Sequence, residues 1–240
     1  MIYRPLADSA HRKSAERQAV FHVIQCVYSM DLPKFSCHLC EYKKFKLCKF
    51  WNLIIDRRIF AVFNFKNIEF LRENNINEVL VVTGDPPQDM GRKIYPTIST
   101  DVIRKFKMEM PEVKVYAGID QYRTSMRAES YSIKRKIQAG ADGFFTQPFF
   151  DLRFLEIYAE LLEGKEVYWG VSPVLSDKSV NYWETKNNVV FPKNFAPTLE
   201  WNIDFAQKVL EFVTRTNSNI YFMPIRTKLA DYLSGILAKK

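Results

Sequence analysis

The sequence predicts an α/β protein, in which parallel β-strands alternate with α-helices as a barrel or an open sheet. From about residue 67 onward, short apolar segments alternate with amphipathic segments of helical period. The connections between these segments are short and rich in Gly, Pro, Asp and Ser. The chain has 240 residues, 47% of them hydrophobic, which is enough for one large domain with its own core.

Each predicted strand is apolar and is closed by turn residues or by a proline. The first has the sequence EVLVVT, an uninterrupted β-branched run that is typical of a strand buried on both faces. Parallel strands of this kind are joined by right-handed helical connections. The predicted strands are Glu78–Thr83, Val113–Ala117, Gly143–Gln147, Glu166–Val171 and Asn219–Met223.

Helices are predicted between the strands from amphipathic period and from glycines that follow the helix ends. Gly140 and Gly164 have the position that a helix-ending glycine commonly takes. The stretch SDKSVNYWETKNNVVFP is predicted only as a polar, aromatic-rich segment. The predicted helices are Asn67–Glu73, Ser99–Met108, Ala128–Gln138, Phe154–Leu162, Leu199–Arg215 and Lys228–Leu237.

The first 66 residues do not show this punctuation. They contain a helix-like run (Ser9–Ile24), a cysteine- and lysine-rich stretch, and an apolar stretch (Asn52–Phe65). We therefore expect an atypical N-terminal segment over residues 1–66 and an α/β barrel region over residues 67–240. The two are expected to form one domain together.

All four cysteines lie in that N-terminal segment. Cys37 and Cys40 have the C-x2-C spacing of a zinc ligand pair, and Cys26 and Cys48 lie nearby. A structural zinc site usually has two closely spaced pairs, and the sequence has one. We predict reduced thiols and no metal, and a zinc-bearing segment that docks a partner protein is kept as an alternative.

The formal net charge of +8 allows two interpretations: a solvated basic surface, or an anionic ligand such as a cofactor pyrophosphate. No nucleic-acid-binding motif is present, so no nucleic-acid partner is predicted. No window has the roughly 18 apolar residues that a membrane span needs, so no membrane partner is predicted. No secretory signal pattern is present, and we expect a cytoplasmic protein.

Several polar residues stand where a predicted strand ends. Asp85 follows the first strand, Gln147 ends the third, Ser172 follows the fourth, and Arg226 follows the last. Because the carboxyl ends of parallel strands lie at one edge of a sheet, these side chains are expected to converge. Asp85 is interpreted either as a turn residue or as a carboxylate beside a bound ring system. The Gln147 amide either satisfies nearby backbone or binds the edge of a heterocycle such as a pterin.

Charged residues lie on the predicted helix before the third strand. Glu129 and Lys136 are seven residues apart and share one helical face, whereas Arg135 does not share it well. These side chains are either solvated surface charges or groups that bind a cofactor diphosphate and ribitol.

Several sequence blocks, in order, resemble the methylenetetrahydrofolate reductase family. They are VVTGDPP (81–87), KRKIQAGADGFFTQPFFD (134–151), EVYWGVSPV (166–174), NNVVFP (187–192) and NIYFMPIR (219–226). The resemblance covers residues 67–238. It implies a (β/α)8 TIM-type barrel with FAD at its C-terminal mouth. It also implies reduction of 5,10-methylenetetrahydrofolate to 5-methyltetrahydrofolate by NADH or NADPH, and we expect a homo-oligomer.

The resemblance also implies roles for individual residues. The catalytic residues it implies are Asp85 and Gln147. The residues it implies for FAD are Thr83, Gly84, Asp85, Tyr95, Ala117, Glu129, Ser132, Arg135 and Lys136. The residues it implies for the folate are Gln147, Phe222 and Arg226. Glu129 and Ser132 stand where the family usually has Asp and Asn, and Phe222 where it often has Tyr.

The chain departs from the family at its start. The family's first strand carries a Phe-Glu-Phe-Phe-Pro-Pro-like stretch, whose glutamate is the acid that protonates the folate, and this sequence has none. The N-terminal segment is therefore expected to be either rebuilt or truncated. A non-catalytic barrel that binds flavin or folate stays open as an alternative, because general acid help contributes about 10²–10⁴-fold to rate.

Overall fold

The computed structural model describes residues 2–3, 53–56, 71–73, 76–83, 97–223 and 229–237. The strands within them lie close to the predicted bounds, and Glu166–Val171 agrees with its prediction at both ends. They are β1 (Ile2–Tyr3), β2 (Leu53–Asp56), β3 (Glu78–Val82), β4 (Lys114–Ile119), β5 (Gly143–Pro148), β6 (Glu166–Val171) and β7 (Asn219–Phe222).

The described strands form one sheet in the order β1-β7-β6-β5-β4-β3-β2. β2 through β7 are parallel to their neighbours, and β1 is antiparallel to β7. This confirms the predicted α/β class. β1 and β2 both come from the first 66 residues, so that segment contributes strands to the sheet. They are the two ends of the strand order among the described residues, and closure into an eight-stranded barrel stays a prediction.

The helices alternate with the strands, as predicted. Residues 71–73, within the predicted helix Asn67–Glu73, are helical. The longer described helices are α1 (Ser99–Glu109), α2 (Met126–Gln138), α3 (Leu152–Leu161), α4 (Asp177–Asn187), α5 (Leu199–Thr216) and α6 (Leu229–Leu237).

Side-chain caps define where three of these helices begin. The side chains of Ser125, Asp151 and Thr198 accept hydrogen bonds from backbone amides in the first turns of α2, α3 and α5, at 3.3, 3.0 and 3.2 Å. The predicted starts of α2 and α3 were each two residues late, because the apolar period begins only after the first turn.

α4 is the helix that the sequence pattern did not predict. It begins after Ser176, whose hydroxyl accepts a hydrogen bond from the Ser179 amide at 3.2 Å, and it ends at Asn188 in the left-handed conformation. Trp183 is the buried residue of this helix. One buried side chain does not produce a helical period, so the segment had no amphipathic signal.

Both faces of the central strands are buried, as the uninterrupted apolar runs predicted. One face packs against the helices and forms the larger core, which includes Val79, Val115, Phe144, Trp169 and Ile220. The other face, here called the aromatic face, is formed by one residue from each of β3 to β7. These residues are Leu80, Tyr116, Phe145, Tyr168 and Tyr221.

The aromatic face is held together by ring contacts and by one carboxylate. Phe145 and Tyr168 stack with ring centroids 4.2 Å apart, and Tyr116 packs edge-on against both. The hydroxyls of Tyr116 and Tyr168 donate to Glu166 Oε1 at 3.3 and 3.0 Å. These bonds satisfy polar groups that would otherwise be costly to bury.

The segment after β6 is joined to α5 by a buried amide. Asn202 is 2% exposed, and its side chain accepts from the Val174 amide at 3.0 Å and donates to the Val174 carbonyl at 2.9 Å. These bonds hold the backbone just beyond the carboxyl end of β6. None of the helices described here is long and apolar enough to cross a membrane.

Candidate functional site

The candidate site is the sheet edge at which the parallel strands end. β3 is followed by Thr83, β4 by Asp120 and Gln121, and β6 by Ser172. The Ser172 hydroxyl donates to the carbonyl of Met223, the residue after β7, at 2.8 Å. This bond joins the ends of β6 and β7, so the polar residues of this edge belong to one connected surface.

β5 contains a β-bulge near its carboxyl end, here called the β5 bulge (Phe145–Pro148). Phe145 pairs with Tyr168 and Pro148 with Gly170, so two residues of β5 lie opposite one residue of β6. Those two residues are Thr146 and Gln147. A bulge of this kind changes the direction of a side chain and is often found beside active sites.

Three polar contacts hold the first half of the β5 bulge. The Thr146 hydroxyl accepts a hydrogen bond from the Gly170 amide at 3.1 Å, and the Tyr221 hydroxyl donates to the Thr146 carbonyl. A Cβ atom at Gly170 would lie 2.7 Å from the Tyr221 hydroxyl, so a larger residue would displace it. The Phe149 amide donates to the Gly170 carbonyl at 2.9 Å.

Gln147 itself is half-buried, and its side-chain amide makes no hydrogen bond with any described residue. The neighbouring Gln121 satisfies backbone groups instead. It is 3% exposed, and its Nε2 donates to the carbonyls of Gln147 at 2.8 Å and Pro148 at 3.3 Å. The sequence analysis did not single out Gln121, although it stands two residues after the end of β4.

The polar face of α2 lies against the end of β4. The Lys136 ammonium donates to the Gly118 carbonyl at 2.8 Å and lies 3.5 Å from Glu129 Oε1. Both side chains are more than nine-tenths buried, which confirms that they share one helical face. Burial lowers the pKa of Lys136, and the Glu129 carboxylate acts in the opposite direction. Ser132, between them on the helix, is half-buried.

Two acidic groups bring further charge to the same junction. Asp120 follows β4, and its carboxylate accepts from the Arg123 side chain at 3.0 Å and the Tyr122 amide at 3.3 Å. Burial raises the pKa of Tyr158 to about 12, and the carboxylates of Glu129 and Asp120 add to this effect. The junction of β4 and α2 therefore holds closely spaced charges of both signs.

Arg135, next to Lys136, is exposed, and none of the described residues forms an ion pair or hydrogen bond with its guanidinium. It therefore stands outside the buried pair, as the helical spacing predicted. A guanidinium can bind two oxygens of one phosphate side by side.

The remaining predicted residues fall in two groups. The side chains of Ala117 and Phe222 belong to the helix-facing core, and the Phe222 ring packs edge-on against Tyr232 at 6.1 Å. The structure thus does not bring the Phe222 ring to the side of the sheet that holds the aromatic face. The residues that lie outside the described part of the chain are Gly84, Asp85, Tyr95 and Arg226, together with all four cysteines.

A parallel α/β sheet with polar side chains at the carboxyl ends of its strands is typical of enzymes that bind ligands at that edge. Comparison with protein families is consistent with this class. The family model described as methylenetetrahydrofolate reductase matches residues 65–212, which is more than half of the chain. The chain belongs to the methylenetetrahydrofolate reductase family.

Curated relatives include the 5,10-methylenetetrahydrofolate reductases of two bacteria. The protein of Pectobacterium carotovorum subsp. carotovorum is 28% identical over 137 residues, which cover 55% of this chain and 46% of that protein. The protein of Escherichia coli (strain K12) is 27% identical over 139 residues, which cover 56% of this chain and 47% of that protein. The chain spans about half the length of the curated relatives it matches.

Among solved structures, that of oxaloacetate acetylhydrolase has a TM-score of 0.42 and 13% identity to this chain. The match covers 76% of this chain and 56% of that one. At that TM-score the similarity carries no argument about fold or function.

The buried pair Glu129–Lys136 leads to a prediction about stability. Lys136→Met leaves a buried carboxylate without its partner and is expected to lower the free energy of unfolding by about 3–5 kcal/mol. Glu129→Leu combined with Lys136→Met removes both charges and is expected to cost less than the single change. Urea unfolding of the three proteins measures these differences.

The matched control is Lys208→Met, which breaks an exposed pair with Asp204 on α5. Its cost is expected to be at most about 1 kcal/mol, because solvent screens exposed charges. Equal losses for Lys136→Met and Lys208→Met would contradict the description of a buried pair.

Proposed function

We propose that this chain catalyses reduction of 5,10-methylenetetrahydrofolate to 5-methyltetrahydrofolate, with FAD as cofactor and NADH or NADPH as reductant. Membership of the family supports the reaction class. The observation that carries the proposal is Gln147: its backbone is fixed at the strand-end edge, while its side-chain amide makes no hydrogen bond with any described residue. A planar amide with one acceptor and two donors is suited to the edge of a pterin.

The polar face of α2 fits the phosphate and ribitol part of FAD. Lys136 has three N–H donors and uses two contacts, to Gly118 and Glu129, so one donor stays available for an anion. The exposed guanidinium of Arg135 and the half-buried hydroxyl of Ser132 lie on the same helix. We assign these residues to FAD binding together with Glu129, Thr83 and the backbone of Ala117.

FAD, when bound, supplies the hydride that reduces the one-carbon group of the folate. In this proposal the protein holds the two partners in place. The Gln147 amide orients the pterin, and Arg226 contacts the folate. Asp85 stabilises the cationic form of the substrate by Coulomb attraction, together with Gly84 and Tyr95 beside the flavin. The last four residues lie outside the described part of the chain, and their roles rest on the family resemblance. We further propose a cytoplasmic homo-oligomer.

A second candidate function is binding of flavin or folate without turnover. The absence from the sequence of the family's glutamate-bearing first-strand motif favours it. The side chains of the first 66 residues are outside the described part of the chain, so no described group replaces that acid.

Anaerobic spectroscopy separates these functions. If the chain is a reductase, purified protein loaded with FAD will lose its yellow colour with NADH or NADPH. It will regain the colour on addition of methylenetetrahydrofolate, with 5-methyltetrahydrofolate as product. Bound flavin that bleaches and is not reoxidised by the folate would support the binding function. A colourless protein that does not take up FAD would contradict both.

Gln147→Ala is expected to lower kcat/KM for the folate by about tenfold or more, because the pterin loses its hydrogen bonds at one edge. FAD content is expected to stay unchanged, since the flavin is held by α2. The measurements are the rate of flavin reoxidation by methylenetetrahydrofolate and the absorbance ratio of flavin to protein. Gln138→Ala, an exposed glutamine at the end of α2, is the matched control. Loss of FAD from Gln147→Ala would contradict the assignment.

Arg135→Ala together with Lys136→Ala is expected to release FAD, because both cationic contacts to the diphosphate are removed. Arg135→Ala alone is expected to weaken FAD binding without lowering stability, because Arg135 is exposed. FAD affinity is measured by the quenching of flavin fluorescence on binding. The control is Arg127→Ala with Lys134→Ala, which removes two exposed cations from the same helix. Unchanged flavin affinity in the first pair would remove both residues from the site.

A further inference from the structure

The β5 bulge has one supporting contact that comes from a side chain outside the proposed binding set. β4 pairs with β5 as far as Ile119 and Thr146, so the carbonyls of Gln147 and Pro148 lie beyond the end of that pairing. Gln121 reaches both carbonyls with one amide nitrogen, at 2.8 and 3.3 Å. Its side chain thus continues the hydrogen bonding of β4 where the β4 backbone has ended.

The orientation of the Gln121 amide follows from its partners. Two carbonyl oxygens face the amide, and only the NH2 group can donate to them. Gln121 is 3% exposed, so water competes little for these bonds. Pro148 has no N–H group of its own, which leaves its carbonyl as the polar backbone atom that needs a partner.

The bulge is therefore held from both sides. On the β6 side, Gly170 donates to the Thr146 hydroxyl and accepts from the Phe149 amide. On the β4 side, Gln121 holds the carbonyls of Gln147 and Pro148. The backbone of Gln147 is fixed through its own carbonyl, and its side chain is the part that these contacts leave available.

We infer that Gln121 is a positioning residue that sets the orientation of Gln147 through the β5 bulge. This inference rests on the proposed function, since the ligand that Gln147 would orient is the pterin of the folate. A binding group gains most when its own backbone and neighbours hold it in the productive geometry before the ligand arrives. Gln121 itself contacts backbone and not the ligand, so its effect on turnover is transmitted entirely by Gln147.

The test is a double-mutant cycle between Gln121→Met and Gln147→Ala. Methionine has nearly the same length as glutamine and donates no hydrogen bond. Gln121→Met is expected to lower kcat/KM for the folate about five- to tenfold, while flavin content stays the same. The double variant is expected to be no worse than Gln147→Ala alone, because the two residues act through one contact. Losses that multiply would overturn the inference.

A substrate-free measurement accompanies the kinetics. Amide hydrogen exchange of residues 143–150 is expected to become about fivefold or more faster at Phe149 in Gln121→Met, because the bulge loses its support on the β4 side. If wild-type protein shows no folate turnover, the proposed function fails, and exchange at Phe149 still decides the positioning role. Unchanged exchange at Phe149 in that variant would overturn the inference.

Gln207→Met is the matched control. Gln207 on α5 also donates from one amide nitrogen to two successive carbonyls, those of Gly235 and Ile236 at 3.2 and 3.3 Å. Its loss removes an equivalent contact away from the β5 bulge, so turnover and exchange at Phe149 are expected to stay at wild-type values. Equal kinetic losses for Gln121→Met and Gln207→Met would show a general effect on stability and would overturn the inference.

Gln121→Glu is the second variant, should the methionine protein fail to fold. It keeps the shape of the side chain and replaces the donor with an acceptor that two carbonyls repel. The same kinetic, additivity and exchange measurements apply to it, with the same expected directions. Wild-type values for this variant in all three would overturn the inference.

Discussion

Parallel pairing of β2 through β7 is the constraint on which the rest of this structure depends. It brings the carboxyl ends of the strands to one edge, where Gln121, Gln147 and Ser172 become neighbours although they are distant in sequence. Both faces of the sheet are buried, so the register of each strand is fixed by its core-facing side chains. The one departure from regular pairing, the β5 bulge, occurs where the proposed substrate-binding amide stands.

The site and the core share their polar groups to an unusual extent. Lys136 and Glu129 are buried as a pair, and the Lys136 ammonium also holds the Gly118 carbonyl of β4. Burying two charges is costly unless the geometry compensates, so a pair kept in this position is weak evidence for stability alone. We interpret it as a group kept for ligand binding, with Arg135 beside it on the exposed side of α2.

The class of the fold and the positions of the strands follow from local sequence, because each strand is a short apolar run closed by a turn. α4 could not be predicted, since Trp183 is its buried side chain and one residue makes no period. The β5 bulge could not be predicted either. GFFTQP has the pattern of a continuous strand, and the bulge depends on Tyr221, which reaches Thr146 from 75 residues away. Gln121 was missed because its role depends on how far a side chain reaches between strands.

The central claim is that the strand-end edge binds the flavin and the folate side by side. The most direct measurement is the absorption spectrum of the FAD-loaded protein during an anaerobic titration with tetrahydrofolate, which lacks the one-carbon group and cannot be reduced there. The account predicts a saturable shift of the flavin bands with a stoichiometry of one folate per flavin. A flavin spectrum that does not change while folate binding is detected independently would contradict it.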